Sequence, residues 1–563
     1  MCADIVLHGL AVLLVCTLQT AIPSPAQTSV GDTALNSADR LYRSGQFAAA
    51  EAAYQAILRS NPKMVPAQVG FIRSLLREQK IDEAYEAAKQ DVADQPNSAP
   101  LLVAMGDVQF RRGQMSSTED SYLKALKADP KDVYAYLGLA RLYRAYSLYR
   151  HAYDALTRAH AIAPDNPDVQ RMYFAQLPRK QRTAALEAYL ASPHPDDAEE
   201  TREWQSYLEF LKATADSPLH SCKLISKVEK TDTHLERLFA NPQTIRAFGL
   251  SVKLNDHSYH LLLDTGASGI VIGRKAAEKA GLTRISAERY GGIGDQGLQT
   301  GYTAVADRIR VGELEFHDCI VRVSDKASII DEDGLIGADV FGAYLIDIDL
   351  PGEKLRLAPL PKRPEDASAP TALKTDTDSE PEGAEPSDRE EQRAQSGESV
   401  SASKASNPTV VSGAPRPPRD RYIAPEMANW TKVFRFGHNL LIPTYVNDSP
   451  VMLFLIDTGS FSNIISTRAA REVTRIAQSR MQVRGLSGSV NQVFTADKAN
   501  LVFSHFRQPN QDMVTIDLSG ICKHTGTEVS GILGFNVLRQ LEVKIDYRDG
   551  LVDFVRPNAG GRN

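Results

Sequence analysis

Prolines stand at positions 62, 96, 130 and 164 of the chain, 34 residues apart each time. The agreement runs past the prolines. Gly45, Gln79, Gly113 and Ser147 share one phase of that period, Phe47, Ile81, Met115 and Tyr149 a second, and Ala50, Ala84, Thr118 and Ala152 a third. Between these marks apolar residues fall at helical spacing, as with Ala53, Ile57 and Leu58 or Leu123 and Leu126. Such a unit ends at a residue that cannot continue a helix. It is too short to bury its own apolar face, so it must stack on copies of itself. The period therefore predicts an all-α solenoid over residues 35–215, with four units up to residue 164. The segments "RTAALEAYLAS" and "REWQSYLEFLKAT" follow as capping helices. The small residue at the Ala50 phase lets paired helices approach, and the tyrosines between 143 and 153 read as solenoid core.

This pattern resembles the tetratricopeptide repeat (TPR) family. The resemblance implies helix-turn-helix units and a protein or peptide partner held on the concave face.

After Pro218 the text changes to short alternating strands separated by Gly or Asn-Asp turns. Two β-rich stretches, 222–360 and 422–556, flank a segment at 361–421 that is rich in Pro, Ser, Ala and charge and poor in aromatics. That composition buries too little surface to offset the entropy of ordering, so 361–421 reads as a disordered linker. Across the chain, 42% hydrophobic and 24% charged residues with a net charge of -6 and no basic stripe give no footprint for nucleic acid. Residues 1–27 carry an apolar run from Ile5 to Leu18 followed by small residues and prolines, with Ser24 and Ala26 placed as at a signal-peptidase site. The run is shorter than the roughly 20 residues a membrane span needs. The expectation is export to a periplasmic or extracellular location, with a retained membrane-associated segment as the alternative. Beyond it stand Cys222, Cys319 and Cys522, an odd set without C-x-x-C pairs, which allows at most one disulfide and argues against a structural zinc site. The twelve histidines show no metal-ligand spacing, and neither a metal nor a cofactor is expected.

The β-rich stretches repeat one another. "LLLDTGASGIVIG" at 261–273 returns as "LFLIDTGSFSNIIS" at 453–466, each with a carboxylate, Asp264 or Asp457, at the end of an apolar run. A charge placed so close to a core is costly unless it has work to do. The copies also share an upstream turn (Asn255-Asp256, Asn447-Asp448) and a downstream Gly-rich segment (from Gly291 and from Gly485). An apolar-Gly element follows in each ("GLIGADVF", "GILGFNVL"), and then a closing strand with Asp349 or Asp546.

The set resembles the aspartic protease family, and its retropepsin-like branch more than its pepsin-like one. The resemblance implies two all-β lobes that pair to hydrolyse peptide bonds in a polypeptide substrate. Two carboxylates about 3 Å apart share one proton, so one takes a proton from water while the other protonates the carbonyl oxygen. Asp264 and Asp457 would be that dyad. Thr265 and Thr458 would tie the loops together, and Gly266 and Gly459 would permit the tight turn. Ala267 and Ser460 differ, since the serine hydroxyl can bond the carboxylate and Ala267 cannot. Gly291, Gly292, Gly294, Gly485 and Gly488 would belong to two flaps over the substrate. Phe461 occupies a position where a small residue is usual. A linker of this length lets the lobes of one chain meet, which predicts intramolecular pairing, with exchange between chains in a homodimer also allowed. The alternative reading is a non-catalytic TPR scaffold with protease-like peptide-binding lobes.

Overall fold

The phase shared by Gly45, Gln79, Gly113 and Ser147 is the turn inside each repeat unit. All four have positive φ, at 73°, 61°, 72° and 56°. A computed structural model describes residues 30–364 and 418–557, apart from 193, 195, 216–221, 227 and 327–331. The expected export segment and residues 365–417 of the expected linker lie outside the described residues.

Each unit is a helix pair: α1 (Val30–Arg43) with α2 (Phe47–Ser60), α3 (Val65–Arg77) with α4 (Ile81–Asp94), α5 (Ala99–Arg111) with α6 (Met115–Ala128), and α7 (Val133–Ala145) with α8 (Tyr149–Ile162). The second periodic phase, Phe47 to Tyr149, is the first residue of every second helix, and each proline stands two residues past that helix's end. Ala50, Ala84 and Thr118 are completely buried at the closest helix contacts. Tyr122 fills the space left by two glycines, and a Cβ on Gly138 would stand 2.3 Å from its ring. The caps α9 (Pro167–Tyr173), α10 (Arg179–Leu190) and α11 (Ala198–Ala213) curl back toward α3. There Arg77 is bonded to Asp197 at 3.1 Å and Glu200 at 2.6 Å, which encloses the inner face of the solenoid.

In both lobes the Asn of the Asn-Asp turn has positive φ, 52° at Asn255 and 54° at Asn447, as a tight hairpin requires. That hairpin leads into the strand bearing the aspartate. In the first lobe this strand, His257–Asp264, pairs in parallel with Gly334–Gly337, which pairs antiparallel with Ile270–Gly273. In the second, Met452–Ile456 pairs in parallel with Gly531–Leu533, which pairs antiparallel with Ile464–Ser466. The two apolar-Gly elements thus lie beside the aspartate strands. The closing strands join the lobes. Tyr344–Asp349 pairs antiparallel with Glu542–Asp546 at the centre of a six-stranded sheet built from both lobes, with Ile346 opposite Ile545 and Ile348 opposite Val543. These four side chains are wholly buried. Cys222 and Cys319 form a disulfide that ties the start of the first lobe to the strand Leu314–Ser324, and Cys522 is free.

The solenoid does not stand apart. Phe110, Met115 and Leu142 share one apolar core with Leu441, Leu453, Leu455 and Ile532 of the second lobe. The Thr527 hydroxyl donates to the Phe110 carbonyl at 2.6 Å, and Arg468 pairs with Asp82 at 2.7 Å. Two expectations are corrected here. Among the tyrosines of 143–153, Tyr143 packs on the solenoid core as expected and Tyr153 is exposed, but two are interface: Tyr146 packs on Phe434, and Tyr149 accepts a hydrogen bond from Arg435. The ends of the 361–421 segment belong to the fold. Arg363 reaches the wholly buried Asp549 at 2.8 Å, and Arg421 donates to the Asp549 carbonyl at 2.6 Å, while its own N–H meets the Ser147 carbonyl. Composition averaged over a window treats these arginines as solvated charge; the buried carboxylate that complements them lies over a hundred positions away.

Candidate active site

Asp264 and Asp457 end their strands side by side, and their carboxyl groups share a hydrogen bond across the junction between lobes. Beneath them the threonines form a symmetric lock. Thr265 donates its hydroxyl to the Ile456 carbonyl at 2.8 Å and accepts from the Thr458 N–H at 3.0 Å; Thr458 donates to the Leu263 carbonyl at 2.8 Å and accepts from the Thr265 N–H at 3.1 Å. Both threonines are buried, so loss of either leaves unpaired backbone groups away from water, at about 1–3 kcal/mol each. Gly266 and Gly459 do not need unusual backbone angles. Their requirement is space: a Cβ on Gly266 would lie 2.8 Å from the Asp457 carboxyl carbon, and one on Gly459 would lie 2.5 Å from that of Asp264. The expected reason, turn geometry, gives way to close approach between lobes.

The two carboxylates are not equivalent. Asp264 accepts one backbone N–H, from Gly266 at 2.8 Å. Asp457 accepts two on the same oxygen, from Gly459 and Ser460, both at 2.9 Å. N–H donors favour the ionised form. Burial raises both carboxyls above the ordinary range. Asp264 is driven up further by the charge of Asp457 and by the bond between them, while for Asp457 that bond and the two N–H groups act downward. The shared proton therefore resides on Asp264. The expected difference between Ala267 and Ser460 is real but acts through another atom. The Ser460 hydroxyl donates to the Ser462 carbonyl at 3.1 Å, and it is the backbone N–H that serves Asp457.

Two residues at the site are not among those expected from the sequence. Asp339, inside "GLIGADVF", accepts from the Gly269 N–H at 2.9 Å and the Ser268 hydroxyl at 3.1 Å, bracing the loop that follows Asp264; Asn536 holds the matching place in the second lobe. The doubled element pointed to this position, and the polar residue within it was the missed clue. His438, in the turn between Phe434–Phe436 and Asn439–Val446, hydrogen-bonds the backbone of Gly266. Burial, then the neighbouring His524 and Arg322, lower its pKa to about 3, which favours the neutral imidazole. Nothing distinguishes it by sequence among the other histidines.

The flaps meet each other. The first is the turn between Thr283–Tyr290 and Gln299–Val311, and the second the short ribbon of Arg484–Gly485 and Gly488–Ser489. The Ser487 N–H donates to the Ile293 carbonyl at 3.0 Å, the Gln296 N–H to the Ser487 carbonyl at 2.9 Å, and the Gly292 N–H to the Ser487 hydroxyl at 3.0 Å. Gly294, at φ 130°, sits where a Cβ would be 2.4 Å from the Ser487 backbone, and a Cβ on Gly485 would be 2.4 Å from the Ile293 carbonyl oxygen. Gly488 has φ 91°, while Gly291 lies against Leu298. Phe461 does not disturb the second loop: it is 41% exposed and lines the cleft, and its carbonyl accepts from the Asn536 N–H. The cleft under the flaps continues into the solenoid. One cavity of about 1780 Å³ is lined by both aspartates, both flaps, and by Arg73, Arg111 and Arg141 of the repeats.

An aspartyl protease family model matches residues 250–340 and again 442–537, and a tetratricopeptide repeat model matches 41–106. The chain is 24% identical over 154 residues to DNA damage-inducible protein 1 of Kluyveromyces lactis, covering 26% of this chain and 36% of that protein. It is 28% identical over 110 residues to the protein of the same name from Saccharomyces cerevisiae, covering 19% and 25%. It is also 27% identical over 123 residues to the general transcriptional corepressor ssn6 of Schizosaccharomyces pombe, covering 22% and 11%. The chain thus spans about a third or less of the length of these relatives. A solved thermophilic TPR protein of Thermus thermophilus is 19% identical and covers 32% of this chain and 98% of its own, with a TM-score of 0.27.

Proposed function

The chain joins tetratricopeptide repeats to two aspartyl protease domains, and we propose that it is an aspartic endopeptidase whose dyad is Asp264 and Asp457. One observation carries the reading: a buried and a half-buried carboxyl hydrogen-bonded to each other, the buried one with two N–H donors and the other with a single donor. Asp457, the ionised member, takes a proton from a water held between the pair. The water oxygen attacks the peptide carbonyl carbon as Asp264 gives its proton to the carbonyl oxygen, forming a tetrahedral diol. Asp457 then gives its proton to the nitrogen while Asp264 takes one from a diol hydroxyl, and the C–N bond breaks to leave an amine and a carboxylic acid. The glycine-rich flaps offer backbone groups to an extended substrate in the manner of an added strand. Because the inner face of the solenoid lines the same cavity, the repeats would act on the substrate itself rather than on a remote adaptor.

The test is cleavage of a reduced, unfolded protein by Asp264→Asn and Asp457→Asn. Each substitution is expected to lower the rate by at least about 10³-fold, within the range attributed to general acid-base catalysis. Unchanged cleavage in either would remove the dyad assignment and favour a peptide-binding scaffold.

The proposal extends to location. The apolar run in residues 1–27 and the Cys222–Cys319 disulfide both support export to an oxidising compartment. N-terminal sequencing of the protein from its native host should begin near residue 28, and an intact Met1 on cytosolic protein would refute export.

A further inference from the structure

Not every charged group on the cavity wall is paired. On the solenoid side every carboxylate lining the cavity has a partner: Asp107 meets Arg141 and Tyr122, Asp168 meets Arg171, Asp197 and Glu200 meet Arg77, Glu78 meets Lys80, and Glu203 is also engaged. Of the five guanidinium groups on that side, those of Arg77, Arg141 and Arg171 are held in these pairs and two are not. Arg73 lies over the Tyr134 ring at 4.2 Å and has no ion pair among the described residues. Arg111 has one long bond to the Leu76 carbonyl, at 3.4 Å, and no ion pair among the described residues. Its strongest charged neighbours are two other cations, Arg141 and Arg77. From the flaps, Arg289 and Arg484 line the same cavity, again without an ion pair among the described residues. Arg111 is thus half-buried beside like charges with no anion of its own, Arg73 has Asp107 and Asp168 nearby without pairing to either, and both keep N–H donors free for a further carboxylate, while Arg289 and Arg484 are exposed.

We propose that the inner face of the solenoid is a subsite of the protease chamber for carboxylate side chains. An extended polypeptide rich in Asp or Glu would lie with its scissile bond at the dyad and its flanking acidic residues against Arg111 and Arg73. Arg suits this role because its planar fork binds a carboxylate through two parallel N–H bonds. The inference rests on the protease reading for the position of the scissile bond, and on the wall alone for the choice of acidic residues. It selects substrates by sequence chemistry on a surface separate from the flaps, so selectivity and turnover are divided between repeats and lobes.

The decisive experiment measures binding without turnover. Full-length Asp264→Asn protein is titrated into two labelled, unstructured peptides of equal length, one Glu-rich and the other with every Glu replaced by Gln. The Glu peptide should bind about tenfold tighter, as one or two charged hydrogen bonds allow, and the advantage should shrink as salt rises. The pair R73Q/R111Q should abolish the advantage, and R73K/R111K should keep part of it. A photo-crosslinker on the Glu peptide should label α3 or α5. Equal affinity of the two peptides for the parent, or no binding of either, overturns the proposal. So does a preference that survives in R73Q/R111Q, or labelling confined to the lobes. If the Gln pair fails to fold, the two peptides and the crosslink on the parent still decide. Should the Asp→Asn variants cleave normally, the protease reading falls, while these binding results judge the acidic subsite independently.

Discussion

A single N–H separates the roles of Asp264 and Asp457. The strands that carry them are near copies, yet the turn after Asp457 brings two donors to one oxygen and the turn after Asp264 brings one. In a largely buried site this difference is enough to seat the proton, because each donor acts more strongly where little solvent screens it. A stability signature follows. The Asp264 carboxyl is held well above its ordinary value, first by burial and then by Asp457. Below about pH 4 the folded and unfolded chains both carry this proton and the group contributes nothing. As pH rises further, the unfolded chain releases the proton while the native chain retains it, so stability falls until the raised native value is passed. Asp264→Asn should therefore melt higher than the parent near neutral pH, with the difference closing as pH drops through about 4. Thermal melts across pH read this directly, and a difference that does not vary with pH would assign it to packing. In the proposed mechanism the same proton is the general acid, so cleavage by the parent should decline as pH rises through the native value of Asp264.

At the scale of elements, the flaps and the repeat turns show glycine used in two ways. In the repeats, Gly45 and Gly113 alternate with Gln79 and Ser147 at the same left-handed turn, so the position tolerates a side chain at a cost of about 1 kcal/mol. At Gly294 and Gly485 no such tolerance exists, because the obstacle is the backbone of the opposite flap. Gly294→Ala should separate the flap tips. Hydrogen exchange of the Ser487 and Gln296 amides, which now pair across the gap, should accelerate while exchange in the interlobe sheet stays unchanged. Protection at Ser487 equal to that of the parent would show that the tips do not depend on this contact. The flap glycines were legible in sequence as a Gly-rich stretch after each Asp-Thr-Gly. Their pairing with each other was not, since neither stretch contains information about the other's position.

For the whole molecule, the central fact is that both halves of the site come from one chain and meet along a continuous sheet. Strand Tyr344–Asp349 of the first lobe and Glu542–Asp546 of the second bury four apolar side chains at their pairing. The second lobe is covered on its other side by the solenoid. A lobe exchanged between chains would have to give up both contacts. Inactive Asp264→Asn and Asp457→Asn proteins, mixed under native conditions, should not restore cleavage, and sizing should show the active species as a monomer. Recovery of activity on mixing, with a dimer by sizing, would place the working dyad between chains.

The repeat period, the doubled Asp-Thr-Gly element, the hairpin asparagines and the closing strands were all readable from the chain. Each depends on local geometry that recurs: a helix pair of constant length, a turn that needs positive φ, a strand that must end at a carboxylate. His438 against Gly266, Asp339 under the first loop, Arg363 and Arg421 around Asp549, and the placement of Tyr146 and Tyr149 on the second lobe were not readable. Each is a single contact between residues distant in sequence, chosen by shape and charge complementarity and repeated nowhere along the chain. The continuity of the solenoid with the cleft between the lobes belongs to the same class. Periodicity reveals an element that packs on its own copies; only the folded chain shows which unlike surface it meets.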